Sequence, residues 1–77
     1  MAPNGNALLT RAQILEAAVD IIAENGLSAL TAANLIKHAG ISKGGLYHHF
    51  KQMDDVTLAA LEVMVDRFID LLDDATD

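Results

Sequence analysis

Glycine interrupts the apolar pattern of this chain twice, at Asn25-Gly26 and at Ala39-Gly40, each time where a helical period has just run out. Glycine just past the last periodic residue is the usual left-handed helix stop, so the interruptions divide the chain into short helical pieces. On either side of them the apolar residues recur at three and four positions and nowhere alternate as a strand would. The fold class is therefore all-α. With 77 residues there is room for one small domain, which buries only about 60% of its unfolded surface. No cysteine is present, so the domain has neither a disulfide nor a cysteine-ligated zinc to support it.

Each piece carries its own start signal. Thr10 with Gln13 forms a capping box ahead of Ile14, Leu15, Ala18, Ile21 and Ile22, while Glu16, Asp20 and Glu24 line the opposite face and Asn25-Gly26 supplies the left-handed stop. Thr31 caps a second helix of about nine residues with Leu35, Ile36 and Ala39 on its apolar face and Gly40 as terminator. Ser42 caps a third, Ser42–Phe50, whose Leu46 and Phe50 share one side. A fourth opens at Asp54 or Asp55, with acids at the positive end of its dipole. Its main apolar stripe is Leu58, Leu61, Val65, Phe68 and Leu72. Val63, Met64, Ile69 and Leu71 add apolar surface beyond that stripe.

Ahead of these, Met1–Leu9 reads as a flexible leader containing Pro3, Asn4, Gly5 and Asn6. It lacks the basic start and apolar run of a secretion signal. Acids interrupt both long helical patterns too often for the ~18–20 apolar residues of a membrane span. The expectation is a cytoplasmic protein with no membrane partner.

A net charge of −6 argues at first against nucleic acid as a partner, and a hydrophobic content of 52% argues against a disordered acidic tail. The charges are unevenly placed. Residues 1–25 hold Arg11 against three acids, and residues 54–77 hold Arg67 against eight. Residues 26–53 hold Lys37, Lys43, Lys51 and all three histidines with no acid at all. That acid-free stretch coincides with two short helices joined at Gly40-Ile41, the lengths and turn chemistry of a helix-turn-helix, whose second helix enters a DNA major groove.

The second helix of that pair gives up local stability. Gly44 and Gly45 stand together in its first turn, where each costs about 1 kcal/mol relative to alanine. Bare positions suit the close approach of another surface, either the preceding helix or a DNA backbone with its thymine methyl groups. Lys43 beside them offers charge to a phosphate, Tyr47 a hydroxyl, and His48 and His49 ring N–H groups to phosphate or base edges. Alternatively Tyr47 is a core aromatic and the histidines are ordinary helix-end residues. A metal site at His38, His48, His49 and Asp54 is disfavoured, because adjacent histidines diverge on a helix. Ser42-Lys43-Gly44-Gly45 lacks both the residue order and the preceding strand of a nucleotide-binding loop, and neither Ser28 nor Ser42 sits in a nucleophile elbow. No enzymatic activity and no cofactor are expected.

At residues 40–56 the string GISKGGLYHHFKQMDDV resembles the signature of the TetR (tetracycline-repressor) family of bacterial transcriptional regulators. Upstream, ILEAAVDIIAENGLSALTAANLIKHAG is similar to that family's first helix, Asn-Gly stop and threonine-capped second helix, so the likeness covers about residues 10–72. The resemblance implies a homeodomain-like helix-turn-helix bundle of three helices at 10–53. A fourth helix at 54–77 would lead to a ligand-binding and dimerisation domain that these residues lack. It implies operator DNA as partner, a homodimer when complete, and a small-molecule ligand held only by the missing domain. It assigns a phosphate contact to Thr31 and the groove-facing start of the third helix to Lys43, Gly44 and Gly45. Backbone and base-edge contacts fall to Tyr47, His48 and His49, and a further phosphate to Lys51. Lys37 and Ser42 complete the set of candidate DNA-binding residues.

The chain departs from the family pattern at three places. Gly45 stands where threonine, serine or alanine is more usual, Met53 where a lysine commonly grips phosphate, and Ile36 where a small alanine is usual. With Lys37, Lys43 and Lys51 as the central cations, the salt dependence of binding by one chain has a log-log slope no steeper than about −3. The alternative reading is a small helical interaction module that dimerises through its fourth helix and binds protein, with the acidic C-terminal segment and Met53 in its favour.

Overall fold

The computed structural model describes residues 10–76, which form α1 (Arg11–Asn25), a 3-10 turn (Leu27–Ala29), α2 (Ala32–Ala39), α3 (Lys43–His49) and α4 (Met53–Thr76). The leader expected at 1–9 lies outside the described residues. No strand occurs among the described residues.

Local chemistry sets the helix boundaries. Thr10 Oγ1 accepts the Gln13 amide at 3.2 Å while the Thr10 amide donates to Gln13 Oε1 at 2.9 Å, closing the capping box. Thr31 Oγ1 accepts the Asn34 amide at 3.2 Å, and Ser42 Oγ accepts the Gly45 amide at 2.9 Å. At the far end of α2, Gly40 adopts the left-handed conformation, φ 72° and ψ 33°, and the amides of Gly40 and Ile41 both donate to the Ile36 carbonyl.

Gly26 corrects the expectation of a left-handed stop. Its φ is 92° but its ψ is 163°, a region essentially confined to glycine. The cause is the 3-10 turn immediately beyond it: the chain bends at once into Leu27–Ala29, and the Ala29 amide returns to the Gly26 carbonyl at 3.1 Å. A Cβ at residue 26 would meet nothing within 4 Å, so backbone conformation and not space requires the glycine. No local pattern in the sequence signals the 3-10 turn. Asn34 ties it to α2 by donating from Nδ2 to the Ala29 carbonyl at 2.7 Å.

The core is shared by all four helices. Ile14 of α1, Leu35 of α2, Leu46 of α3 and Val56 of α4 are its largest fully buried side chains. Around them α1 contributes Leu15, Ala17, Ala18, Val19 and Ile21, the segments between helices contribute Leu30, Ile41 and Phe50, and α4 contributes Ala59 and Ala60. α1 packs on the 3-10 turn, α2 and α4, and α3 packs on α2. The core therefore continues past residue 53 into the first two turns of α4.

The structure reverses the expected face of α4. Val56, Ala59 and Ala60 are buried and Val63 and Met64 pack against them. Of the expected main stripe, Leu58, Val65, Phe68 and Leu72 are 61%, 55%, 60% and 48% exposed, with only Leu61 half-buried. Both sets recur at helical spacing, and it is the smaller side chains that take the inner position, in the same buried cluster as the α1 residues. Ile69 and Leu71 are exposed as expected, so the outer apolar face is the larger one. The helix starts at Met53, one residue ahead of the acids that favour its N-terminus.

Candidate nucleic-acid interface

α3 divides its seven residues between core and solvent. Leu46 is wholly buried, and Phe50, which leaves the helix in an extended conformation, is buried behind it. Lys43, Gly44 and His48 are exposed, while Gly45, Tyr47 and His49 are half-buried. Tyr47 is half-buried and packs against the core, beside the exposed Lys43, Gly44 and His48. The rings of His48 and His49 meet edge to face with centroids 5.1 Å apart.

The two glycines differ in their surroundings. A Cβ on Gly44 would meet only Ser42 Oγ, at 3.9 Å, so no atom of α2 requires the position to be bare. A Cβ on Gly45 would come to 3.3 Å from the same oxygen and 3.8 Å from Ile41 Cβ. Close packing inside the pair therefore accounts for part of the second glycine and none of the first. What remains at Gly44 is an open strip of helix backbone between Lys43 and His48.

Thr31 and Ser42 are exposed at the starts of α2 and α3. Each uses its oxygen as an acceptor for the cap, and this leaves the hydroxyl hydrogen to donate outward. Lys51 is exposed just beyond α3. Lys37 stands apart. It lies on α2 in the wall of an open concavity of about 560 Å³ lined also by Ile21, Asn25, Ala29, Asn34 and His38. Beside it His38 Nε2 lies 3.7 Å from the Asp20 carboxylate of α1. The structure thus gathers Ser42, Lys43, Gly44, Gly45, Tyr47, His48 and His49 on one short helix and its cap, with Lys51 at its end, while Lys37 lines a concavity with residues of α1, the 3-10 turn and α2.

One exposed cation has no signal in the sequence pattern. Arg11, the single base of residues 1–25, lies over the Phe50 ring with its guanidinium carbon 4.9 Å from the centroid. The other arginine has a different fate: Arg67 of α4 donates to the Glu16 carboxylate of α1. Neither contact is legible locally, because both join residues far apart in the chain. Among the described residues no group of three or more His, Asp or Glu side chains is placed to hold a metal ion. Among them, too, no helix is long and apolar enough to cross a membrane.

Two short capped helices joined by a left-handed glycine, the second half-buried with one open charged face, make a helix-turn-helix unit. The chain belongs to the tetR family of bacterial regulatory proteins, whose family model matches residues 14–64. Among curated proteins it is 32% identical over 62 residues to the fatty acid metabolism regulator protein of Bacillus subtilis, covering 80% of this chain and 32% of that protein. It is 36% identical over 70 residues to the HTH-type transcriptional repressor KstR2 of Mycolicibacterium smegmatis, covering 86% and 34%. To the HTH-type transcriptional regulator PksA of Bacillus subtilis it is 34% identical over 64 residues, covering 83% and 31%. The chain therefore spans about a third of the length of these relatives. No solved structure matches it significantly.

Proposed function

We propose that this chain is the operator-binding unit of a bacterial transcriptional regulator, with α3 seated in the major groove. The observation that carries the reading is the exposed face Lys43-Gly44-His48 on a helix whose opposite side, Leu46, is locked in the core. In this reading Gly44 admits base edges and methyl groups to within contact of the backbone. Thr31 and Ser42 donate their hydroxyl hydrogens to phosphates, Lys43 and Lys51 supply charge, and Tyr47, His48 and His49 reach backbone and base edges. Lys37 adds to the general field and not to the α3 contact.

The regulator acts as a homodimer on two half-sites about 34 Å apart, in the cytoplasm and without enzymatic activity. Residues 10–53 with the first turns of α4 form the DNA-binding unit. The outer face of α4, with Leu58, Val65, Phe68 and Leu72, packs on the remaining two thirds that the relatives possess, where any small-molecule ligand binds. Repressors are named among those relatives, and this supports repression as the sense of control.

Retention on random duplex DNA tests the reading. The chain should bind at low salt and be released as salt rises, and Lys43→Ala with Tyr47→Phe, which removes the charge and the hydroxyl but keeps the ring on the core, should weaken binding while leaving the helical content intact. Retention that is independent of salt, or unchanged in the double variant, overturns the reading and favours the protein-interaction module.

A further inference from the structure

We propose that Arg11 is a phosphate-contacting residue of the DNA interface, an inference that rests on the reading above and extends it to α1. Arg11, His49, Phe50 and Lys51 line one open concavity of about 400 Å³, at the end of α3 that leads into α4. The fold thus carries the only base of the first 25 residues to the side of His49 and Lys51, two candidate DNA-binding residues.

Arg11 is equipped for this and Arg67 is not. Arg67 is engaged by Glu16, whereas Arg11 makes no ion pair among the described residues and keeps its guanidinium exposed above the Phe50 ring. Stacking on an aromatic face restrains the side chain without using its N–H donors, which stay available for a phosphate oxygen in the bidentate manner of guanidinium. Phe50 is itself fixed, being 4% exposed and hydrogen-bonded through its amide to the Leu46 carbonyl at 3.2 Å. Arg11 is therefore positioned by a residue that α3 positions. Asp55 and Glu62 of α4 line the same concavity. Their carboxylates repel a phosphate, so the contact proposed is with the exposed guanidinium at the rim and not with an anion seated inside the concavity.

The salt dependence of binding to a random duplex measures the contact, since each neutralised phosphate contributes about −0.9 to the log-log slope. Arg11→Met, which keeps an apolar chain over Phe50, should flatten the slope by about 0.9, Arg11→Lys should restore most of it, and Arg67→Met should leave it unchanged. Phenylglyoxal modification of the unaltered chain gives a second measurement that needs no variant: bound duplex should protect Arg11 and not Arg67. An unchanged slope in Arg11→Met, or Arg11 modified equally fast with duplex bound, overturns the proposal while leaving the DNA reading intact. Absence of any duplex binding by the unaltered chain overturns both.

Discussion

Ser42 Oγ lies 2.9 Å from the Gly45 amide it caps and 3.3 Å from where a Cβ on Gly45 would sit. One oxygen therefore both starts α3 and limits which side chains its first turn can carry. A seven-residue helix has little cooperativity of its own, so its existence depends on this cap and on Leu46 in the core. Ser42→Ala should cost about 1 kcal/mol, within the ~0.5–2 range of lost caps. For a domain of this size that lowers the melting midpoint by about 4–8 °C, readable by circular dichroism.

The two glycines should respond differently to alanine. Gly44→Ala places its methyl group in open space and gains helix propensity, so it should raise stability by up to about 1 kcal/mol while weakening duplex binding. Gly45→Ala makes the same gain but presses on the Ser42 cap, and its net effect should be smaller or unfavourable. Urea midpoints compared with anisotropy titrations on labelled duplex check both. Loss of binding together with a gain in stability at residue 44 identifies an interface position and not a structural one.

Substitutions on α4 test which face is inner. Phe68→Glu, on the exposed side, should change the stability of this chain by less than about 0.5 kcal/mol. Ala60→Leu, at a position with no exposure, should cost about 1–3 kcal/mol through overpacking. Chemical denaturation of the two variants distinguishes the observed packing from the one that the sequence period suggests.

Arg67 and Glu16 link α4 to α1 across the surface, with side chains 52% and 55% exposed. A double-mutant cycle with Arg67→Met and Glu16→Gln should yield a coupling of about 0.2–1 kcal/mol. At 1 M salt, where the screening length is about 3 Å, that coupling should fall toward zero.

How much of the fold is legible in the sequence depends on the range of the interactions concerned. Thr10 and Gln13, Thr31 and Asn34, and Ser42 and Gly45 each meet at a separation of three residues, so helix starts are visible as local patterns. The α3 contribution to the candidate interface is equally legible, being one unbroken stretch from Ser42 to His49. The inner face of α4 is not, because Val56-Ala59-Ala60 and Leu58-Leu61-Val65 satisfy the same helical period, and only the tertiary packing of α4 on α1 decides between them. Arg11 is hidden for the same kind of reason. Its neighbour Phe50 is set by the tertiary fold, and a charge count along the chain assigns this base to the acidic flank. The surroundings of Lys37 are equally illegible, since it shares an acid-free segment with α3 but lines a concavity formed with residues of α1 and the 3-10 turn.

The closing of the core by Val56, Ala59 and Ala60 also orders the events of biosynthesis. While α1, α2 and α3 emerge from the ribosome, the cluster that holds Ile14 and Leu46 still lacks Val56, Ala59 and Ala60, and helices of eight and seven residues hold together poorly alone. The unit becomes complete when the first turns of α4 leave the exit tunnel. From then on residues from Val65 onward elongate a rod that is already anchored at its base.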